Sequence, residues 1–315
     1  MSERALRLGT RGSALATTQA GQVAAAIRAE LGREVVLVEI STEGDTNTSA
    51  PLASLGGTGV FVSALREALL AGEVDLVVHS LKDLPTLPAD GITLAATPPR
   101  EDPRDVLVAR DGLTLGELPS GSRVGTGSPR RAAQLAALGL EVDIVDVRGN
   151  VDTRIRKVRD GEYDAVLLAR AGLARLGRLG DVAEVIDPQQ ILPAAGQGAL
   201  AVECRSVDTD LVALLSRLDD APTRAAVTAE RSLLGALEAG CAAPVGALAE
   251  VVDGEDGSEL WIRAVAMSLD GTLSVRRSAT GPLEQADDLG RHLAGLMLAE
   301  GAAQLMEAPV RKQQA

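Results

Sequence analysis

Two stretches of the chain share one chemical design. In Val124-Gly-Thr-Gly-Ser-Pro-Arg-Arg131 and in Val145-Asp-Val-Arg-Gly-Asn-Val151, an apolar run ends in a turn of small residues, and a helix then starts beside arginines. A helix N-terminus offers unpaired backbone N–H groups and a partial positive charge, both suited to anions. The forked guanidinium adds two-point recognition of carboxylate or phosphate. Such turns suit a ligand carrying several negative groups. Ser128 has the chemistry of an N-cap and Pro129 that of the first helical position. Arg130 and Arg131 then turn a cap into an anion site. Arg148, ahead of the second helix, and Arg154 and Arg156 within it extend the pattern, with a solvated basic face as the competing reading for Arg156. Leu8-Gly-Thr-Arg-Gly-Ser13 is a third turn of this kind, with Ser13 as cap and Arg11 projecting to the same edge.

The stretch His79-Ser-Leu-Lys-Asp-Leu-Pro85 follows an apolar run. In open α/β sheets, ligands gather at the carboxyl ends of strands. Asp83, beside Lys82, is therefore a candidate general base or counter-ion for a cationic intermediate; as pattern alone it equally fits a weak surface pair. Gly56-Gly-Thr-Gly-Val-Phe61 is glycine-rich but has no Gly-Lys-Ser/Thr, so it is not a P-loop. Its Phe61 suits a core position or a flap. Cys204 lies in a strand pattern and reads as an inert buried thiol. Cys241 follows Gly240, a plausible helix C-cap, where the negative helix end would not lower a thiol pKa. It is a poor nucleophile that could still trap a strong electrophile.

These residues need a scaffold to position them. With 315 residues, two or three domains are expected. The chain has one Trp, one Tyr and one Phe but is 46% hydrophobic, so its cores are built of Leu, Val, Ala and Ile. A net charge of −13 argues against nonspecific nucleic-acid binding and anionic membrane surfaces. Met1 to Leu8 shows no signal-peptide core, and no apolar stretch is long enough to span a bilayer, so a cytoplasmic location is expected. Two cysteines make no disulfide framework, and His79 and His292 are in no metal-ligand spacing, so no metal is expected.

Strand and helix patterns alternate: strand 6–9, helix 13–31, strand 35–41, helix 62–70, strand 76–79, strands 106–109 and 123–125, helix 129–138, strand 142–147, helix 151–159 and strand 165–168. Such alternation predicts mostly parallel sheets covered by helices. Turn-rich breaks at 97–103 and 192–198 bracket a domain-sized segment, as two crossings between two α/β lobes would require. A long helix, 222–237, precedes three antiparallel strand patterns, 245–252, 260–269 and 272–280, and a closing helix, 284–305. The predicted organisation is domain 1 from 1–98 and 195–217, domain 2 from 103–192, and a small α+β domain 3 from 219–310.

Taken together, these segments resemble the porphobilinogen deaminase family from about Leu6 to about Gly301. The resemblance rests on His79-Ser-Leu-Lys-Asp-Leu-Pro85, Arg100-Glu-Asp-Pro-Arg-Asp105, Gly125-Thr-Gly-Ser-Pro-Arg-Arg131, Arg148-Gly-Asn150, Leu192-Pro-Ala-Ala-Gly-Gln-Gly198 and Gly240-Cys241, in this order and spacing. It implies two lobes like type II periplasmic binding proteins and a third domain carrying the cysteine. It also implies a covalent dipyrromethane cofactor on Cys241 as a thioether. Four porphobilinogens would be deaminated in turn and added head to tail to this primer, and water would release hydroxymethylbilane. By resemblance Asp83 is the catalytic carboxylate, stabilising the cation left by loss of ammonia. Ser80, Lys82, Thr126, Ser128, Arg130, Arg131 and Arg154 fall at cofactor-binding positions. Arg11, Ser13, Gln19, Arg148, Arg175 and Phe61 fall at substrate-handling positions. The family further implies a monomer.

Four residues depart from the family pattern: Thr58 for a frequent Lys, Ala14 for Pro, Pro129 for Leu and Ala239 for Gly. None removes a proposed chemical group. The competing class is a noncatalytic two-lobed dicarboxylate-binding protein, which the arginine turns alone would also suit. The effector half of a transcription regulator would require a helix-turn-helix, and none precedes the first strand.

Overall fold

A computed structural model describes residues 4–40, 59–239, 243–254 and 257–307. The chain forms two compact units: Met1–Glu101 with Gly198–Arg224, and Asp102–Gln197 with Ala225–Ala315. The elements begin with β1 (Leu6–Thr10), α1 (Ala14–Leu31), β2 (Val35–Glu39), α2 (Gly59–Leu70), β3 (Leu76–Ser80) and β4 (Ile92–Ala96). There follow β5 (Asp105–Ala109), β6 (Arg123–Gly125), α3 (Pro129–Ala137), β7 (Asp143–Val145), α4 (Val151–Arg159), β8 (Ala165–Ala169), α5 (Arg170–Arg175) and β9 (Glu184–Val185). The chain then returns to the first unit as β10 (Leu200–Arg205) and α6 (Thr209–Leu215). It ends with α7 (Ala221–Ala236), β11 (Val245–Gly254), β12 (Gly257–Met267), β13 (Ser274–Pro282), α8 (Ala286–Ala299) and α9 (Ala302–Glu307).

The first unit is built on a sheet of order β2-β1-β3-β10-β4, and the second contains one of order β7-β6-β8-β5-β9. In the first, β1 lies between β2 and β3, and in the second β6 lies between β7 and β8; one antiparallel strand, β10 or β5, is inserted beyond β3 or β8. The expectation of mostly parallel sheets holds for four strands of each sheet, while the fifth is reversed: β10 runs against both β3 and β4, and β5 against both β8 and β9. The register gives the reason. Leu200, which opens β10, pairs with Ser80 at the end of β3, and Asp105, which opens β5, pairs with Ala169 at the end of β8. A strand delivered at the carboxyl end of its neighbour must run back along it.

Side chains alternate across each sheet, so both faces can carry a helix layer. In the first unit, Ala20, Val23, Ala24 and Ile27 of α1 pack on Leu8, Leu76 and Val202, while Leu65, Ala68 and Leu69 of α2 pack on Val77. Positions i, i+3, i+4 and i+7 form the buried stripe of α1. Ser13 caps its start, and Gly32, at φ 65°, ends it. In the second unit, Val106, Val108, Val166 and Leu168 meet Ile155 and Val158 of α4, and Leu107, Ala165 and Leu167 meet Leu135 of α3.

The third sheet, β11-β12-β13, is antiparallel as expected. It is covered on both faces at the start of β11 and the end of β12, while β13 is largely exposed. Ala247, Ala249, Ile262 and Ala264 lie against Leu233 of α7 and Leu293 and Met297 of α8, whereas Leu248, Val265 and Met267 lie against Ala133 of α3 and Leu192. The single closing helix expected over 284–305 is broken into α8 and α9 at Gly301, whose φ of 90° suits glycine.

The amino ends of the central strands β1 and β3 of the first sheet are tied by Asp75, 3% exposed, which takes hydrogen bonds from Arg4 (2.9 Å) and from the Arg7 backbone and side chain (2.8–3.3 Å). Burial would raise its pKa. The Arg7 hydrogen bonds and charge, with Arg4, more than reverse this and hold it at about 2 instead of 3.8. A depressed carboxylate stabilises the fold above its unfolded pKa and loses that contribution as pH falls through its folded pKa. We therefore expect the acid limb of unfolding between pH 3.8 and about 2 to be shallower in Asp75→Asn than in the native chain. Equal limbs in urea titrations would remove Asp75 from the acid response. A second prediction concerns Gly290 in α8, where a Cβ would meet the Ala229 carbonyl oxygen of α7 at 2.2 Å. Gly290→Ala should cost about 1–3 kcal/mol in denaturant unfolding, whereas an unchanged midpoint would mean that the helices can part freely.

Candidate active site

In the first unit, the polar turn after β3 carries the sequence candidates. Gln19 of α1, 5% exposed, donates from Nε2 to Ser80 Oγ (2.9 Å), and the hydroxyl donates back to Gln19 Oε1 (3.3 Å). This ties the start of α1 to the end of β3. Leu81 to Asp83 then form one 3₁₀ turn, held by Leu81 N to Ala199 O (3.0 Å) and Leu84 N to Leu81 O (3.1 Å). Lys82 and Asp83 are half-buried while Leu81 and Leu84 are buried, so the turn is nailed down by its apolar residues and presents its charged pair. Ser13 accepts from Ala16 N at the head of α1 (3.4 Å), and half-buried Arg11 lies in the turn before it.

Beneath that turn lies a charged cluster that sequence reasoning missed. Glu203 of β10, 3% exposed, binds Arg66 of α2 at 2.6 and 3.0 Å and lies 3.3 Å from His79 Nε2. Burial opposes its charge, but His79 and Arg66 hold it at about 2. The available signal was a Glu inside the apolar run Leu200-Ala-Val-Glu-Cys, since a buried carboxylate requires a partner. Next to it, Cys204 is fully buried, and burial, reinforced by Asp208, pushes its thiol to about 11, as expected of an inert residue.

In the second unit, α3 begins as its sequence predicts. Ser128 caps Arg131 N (3.5 Å), Pro129 opens the helix, and Ser128 N donates to Thr126 Oγ1 (3.2 Å). Asn150 caps Thr153 N on α4 (2.9 Å) after Gly149, at φ 107°. Arg130 and Arg131 do not simply project from the turn. They are 4% and 6% exposed and converge on Asp105, which is fully buried. Arg130 Nη1 lies 2.8 Å from Asp105 Oδ2 and donates to Leu192 O (2.6 Å). Arg131 donates from Nη2 and Nε to Asp105 Oδ1 (2.7 and 3.1 Å) and from Nη1 to Leu167 O (3.1 Å). Burial would raise the Asp105 pKa, but the two arginine charges hold it well below the carboxylate range.

Arg154 donates to Gly149 O (2.8 Å), and both burial and the Arg131 charge lower its pKa. Two guanidiniums thus gather around one buried carboxylate, a third, Arg154, is close enough for its charge to feel that of Arg131, and Arg130 Nε is buried without a hydrogen-bond partner. Such a cluster is short of negative charge. It can take a carboxylate-bearing group through one-point and forked contacts. Arg148 stands apart, exposed and paired with Asp146 (3.2 Å); Arg156 is exposed, as a solvated face would be; half-buried Arg175 closes α5. Phe61 falls in the first turn of α2, its side chain outside the described residues, and Cys241 and Thr58 also lie outside them. Among the described residues, no cluster of His, Cys, Asp and Glu could hold a metal, and no helix is long and apolar enough to cross a membrane.

Fold and site together define an α/β protein equipped to hold carboxylates, with an acid–lysine turn at the end of one central strand. Residues 6–213 match the family model of the porphobilinogen deaminase dipyrromethane cofactor-binding domain, and residues 224–299 match that of the porphobilinogen deaminase C-terminal domain. Porphobilinogen deaminase 1 of Streptomyces avermitilis is 60% identical over 97% of this chain and 98% of its own length. Porphobilinogen deaminase of Mycobacterium tuberculosis is 60% identical over 96% of this chain and 98% of its own. Among solved structures, a periplasmic substrate-binding protein of an ABC transporter from Coxiella burnetii is 16% identical, with a TM-score of 0.43 over 68% of this chain and 91% of that one. The methionine-binding protein MetQ is 13% identical, with a TM-score of 0.44 over 68% and 89%. The chain belongs to the porphobilinogen deaminase family. It is a transferase, a hydroxymethylbilane synthase, with a dipyrromethane cofactor-binding domain.

The fork of Arg131 is testable by itself. Arg131→Lys keeps the charge but replaces three separately aimed nitrogens by one. We expect a loss of about 2 kcal/mol in urea unfolding, with an unchanged denaturant slope. An unaltered midpoint would show that an ammonium satisfies Asp105 and the Leu167 carbonyl equally well.

Proposed function

We propose that Asp83 is the catalytic carboxylate of this transferase and that the Arg130, Arg131 and Arg154 cluster holds the carboxylates of its cofactor. The single observation that carries the reading is the buried arginine cluster with its orphaned Arg130 Nε. Every pyrrole unit brings an acetate and a propionate, which match that surplus of positive charge. When bound, dipyrromethane would supply the nucleophilic pyrrole carbon that accepts the first incoming unit.

The chain's own residues do the rest. Cys241 holds the cofactor through a thioether. Lys82, Ser80, Thr126 and Ser128 add charge and hydrogen bonds around it. Arg11, Ser13, Gln19, Arg148 and Arg175 orient the substrate carboxylates, and Phe61 covers the reacting unit. As ammonia leaves porphobilinogen, positive charge spreads into the pyrrole ring, and the Asp83 carboxylate stabilises it at the ring N–H. The same carboxylate then holds the proton released when the ring regains aromaticity. Four such additions precede release of hydroxymethylbilane by water.

The protein functions as a cytoplasmic monomer that takes porphobilinogen and neither nucleic acid nor membrane as its partner. It is organised as domain 1 from 1–98 and 195–217, domain 2 from 103–192 and domain 3 from 219–310.

The test is intact mass before and after incubation with porphobilinogen, for the native chain, Cys241→Ser and Asp83→Ala. The native chain should carry a dipyrromethane that Cys241→Ser lacks. Asp83→Ala should keep its fold and lose at least about a hundredfold in turnover. A Cys241→Ser chain still bearing covalent dipyrromethane overturns the attachment site, and near-native turnover by Asp83→Ala overturns the catalytic assignment. No adduct on any chain would favour a noncatalytic dicarboxylate-binding protein.

A further inference from the structure

Two of the stretches singled out in the sequence, Arg100–Asp105 and Leu192–Gly198, have no part in the chemistry above. They meet at one carboxylate. Asp105 closes the first stretch and Gln197 sits in the second. Gln197 Nε2 donates to Asp105 Oδ1 (2.8 Å) and to Pro103 O (2.7 Å). With Arg130 on Oδ2 and Arg131 on Oδ1, Asp105 has three side-chain partners, and neither it nor Gln197 has any exposed surface.

A buried carboxylate facing one arginine would neutralise it. Facing two, it leaves the pair with one surplus positive charge, and it fixes which edge of each guanidinium is spent. For Arg131 the inward edge is Nε with Nη2; for Arg130 it is Nη1. Arg130 Nε lacks a partner. Gln197 is neutral, so it holds the carboxylate without altering the charge balance. A further latch holds the same ground: Gln134 of α3, 1% exposed, donates to Leu192 O (3.0 Å) and accepts from Leu192 N (2.8 Å), and Leu192 O is also the acceptor for Arg130 Nη1.

We propose that Asp105 is a positioning residue, held by Gln197, that sets both the orientation and the surplus charge of the anion-binding arginines Arg130 and Arg131. The proposal rests on the reading of those arginines given under Proposed function. It assigns Asp105 no contact with substrate. Its effect passes through the two guanidiniums.

The charge balance makes two substitutions act in opposite directions. Asp105→Asn raises the surplus charge, while Gln197→Glu places a second carboxylate on the same cluster and lowers it. The probe is sulfate at millimolar concentration, acting on the thermal midpoint of the full chain produced in cells that make no porphobilinogen, with intact mass confirming that no cofactor is attached. Relative to the native chain, the sulfate concentration giving half the stabilisation should fall about tenfold in Asp105→Asn and rise about tenfold in Gln197→Glu. A residue that only filled space would lower both midpoints and leave the sulfate dependence alike in all three chains; that result overturns the proposal. Should Asp105→Asn fail to fold, the Gln197→Glu arm decides: an undiminished sulfate response overturns the proposal, and a diminished one supports it. The readout needs no turnover, so a correct sulfate pattern without any porphobilinogen adduct would sink the cofactor reading and leave the role of Asp105 standing.

Discussion

Two guanidiniums cannot share a dry interior without an anion between them, and the second unit is organised around that constraint. Arg130 and Arg131 are adjacent at the head of α3, and both turn onto the same buried carboxylate. The carboxylate that lets them stay buried is the first residue of β5, where that strand meets the end of β8. Asp105 thereby ties the start of β5 to the head of α3. A buried carboxylate between two cations contributes little net stability once desolvation is counted. Its value lies in where it holds the charges.

The first unit solves a related problem with opposite sign. There a turn must present a carboxylate beside a lysine at the end of β3. Leu81 and Leu84 bury its apolar sides, and Gln19 and Ser80 exchange hydrogen bonds across to α1. Glu203 joins β10 to α2 through Arg66 and reaches His79 one strand away. Below the turn, Arg66 satisfies the buried Glu203 carboxylate, so that charge is compensated without drawing on the pair the turn presents.

What could be read from the sequence was local. Ser13 and Ser128 were legible as caps because the donor each satisfies lies three residues on. The strand–helix alternation was legible because periods of two and 3.6 are set within a few residues. Asp105 and Gln197 were noted only as members of motifs, without a role, and Glu203 and Glu230 not at all; each has a partner far along the chain. Asp105 meets Gln197 across 92 residues, Glu203 meets Arg66 across 137, and Glu230 accepts from Gly196 N across 34. A long-range carboxylate leaves only one mark in a sequence, a charge where the pattern asks for an apolar residue, and that mark does not name the partner. The direction of β5 and β10 was hidden for the same reason, since pairing across a crossing has no local signature. The split of the last helix was missed for a simpler one: Gly301 offered a break that the helical pattern on either side concealed.

The third sheet, covered on both faces at the start of β11 and the end of β12, carries a consequence for the order of assembly. An isolated antiparallel sheet with one helix layer can keep its other face in water. This one cannot, because Leu248, Val265 and Met267 need Ala133 and Leu192 to cover them. Those covering residues leave the ribosome long before β11 does. The C-terminal segment therefore matures on a surface that has already formed, and it inherits the precision of that surface. Any lesion that loosens α3 would leave the last sheet synthesised with an apolar face still open to solvent, where the hazard is misassembly and aggregation as much as lost catalysis.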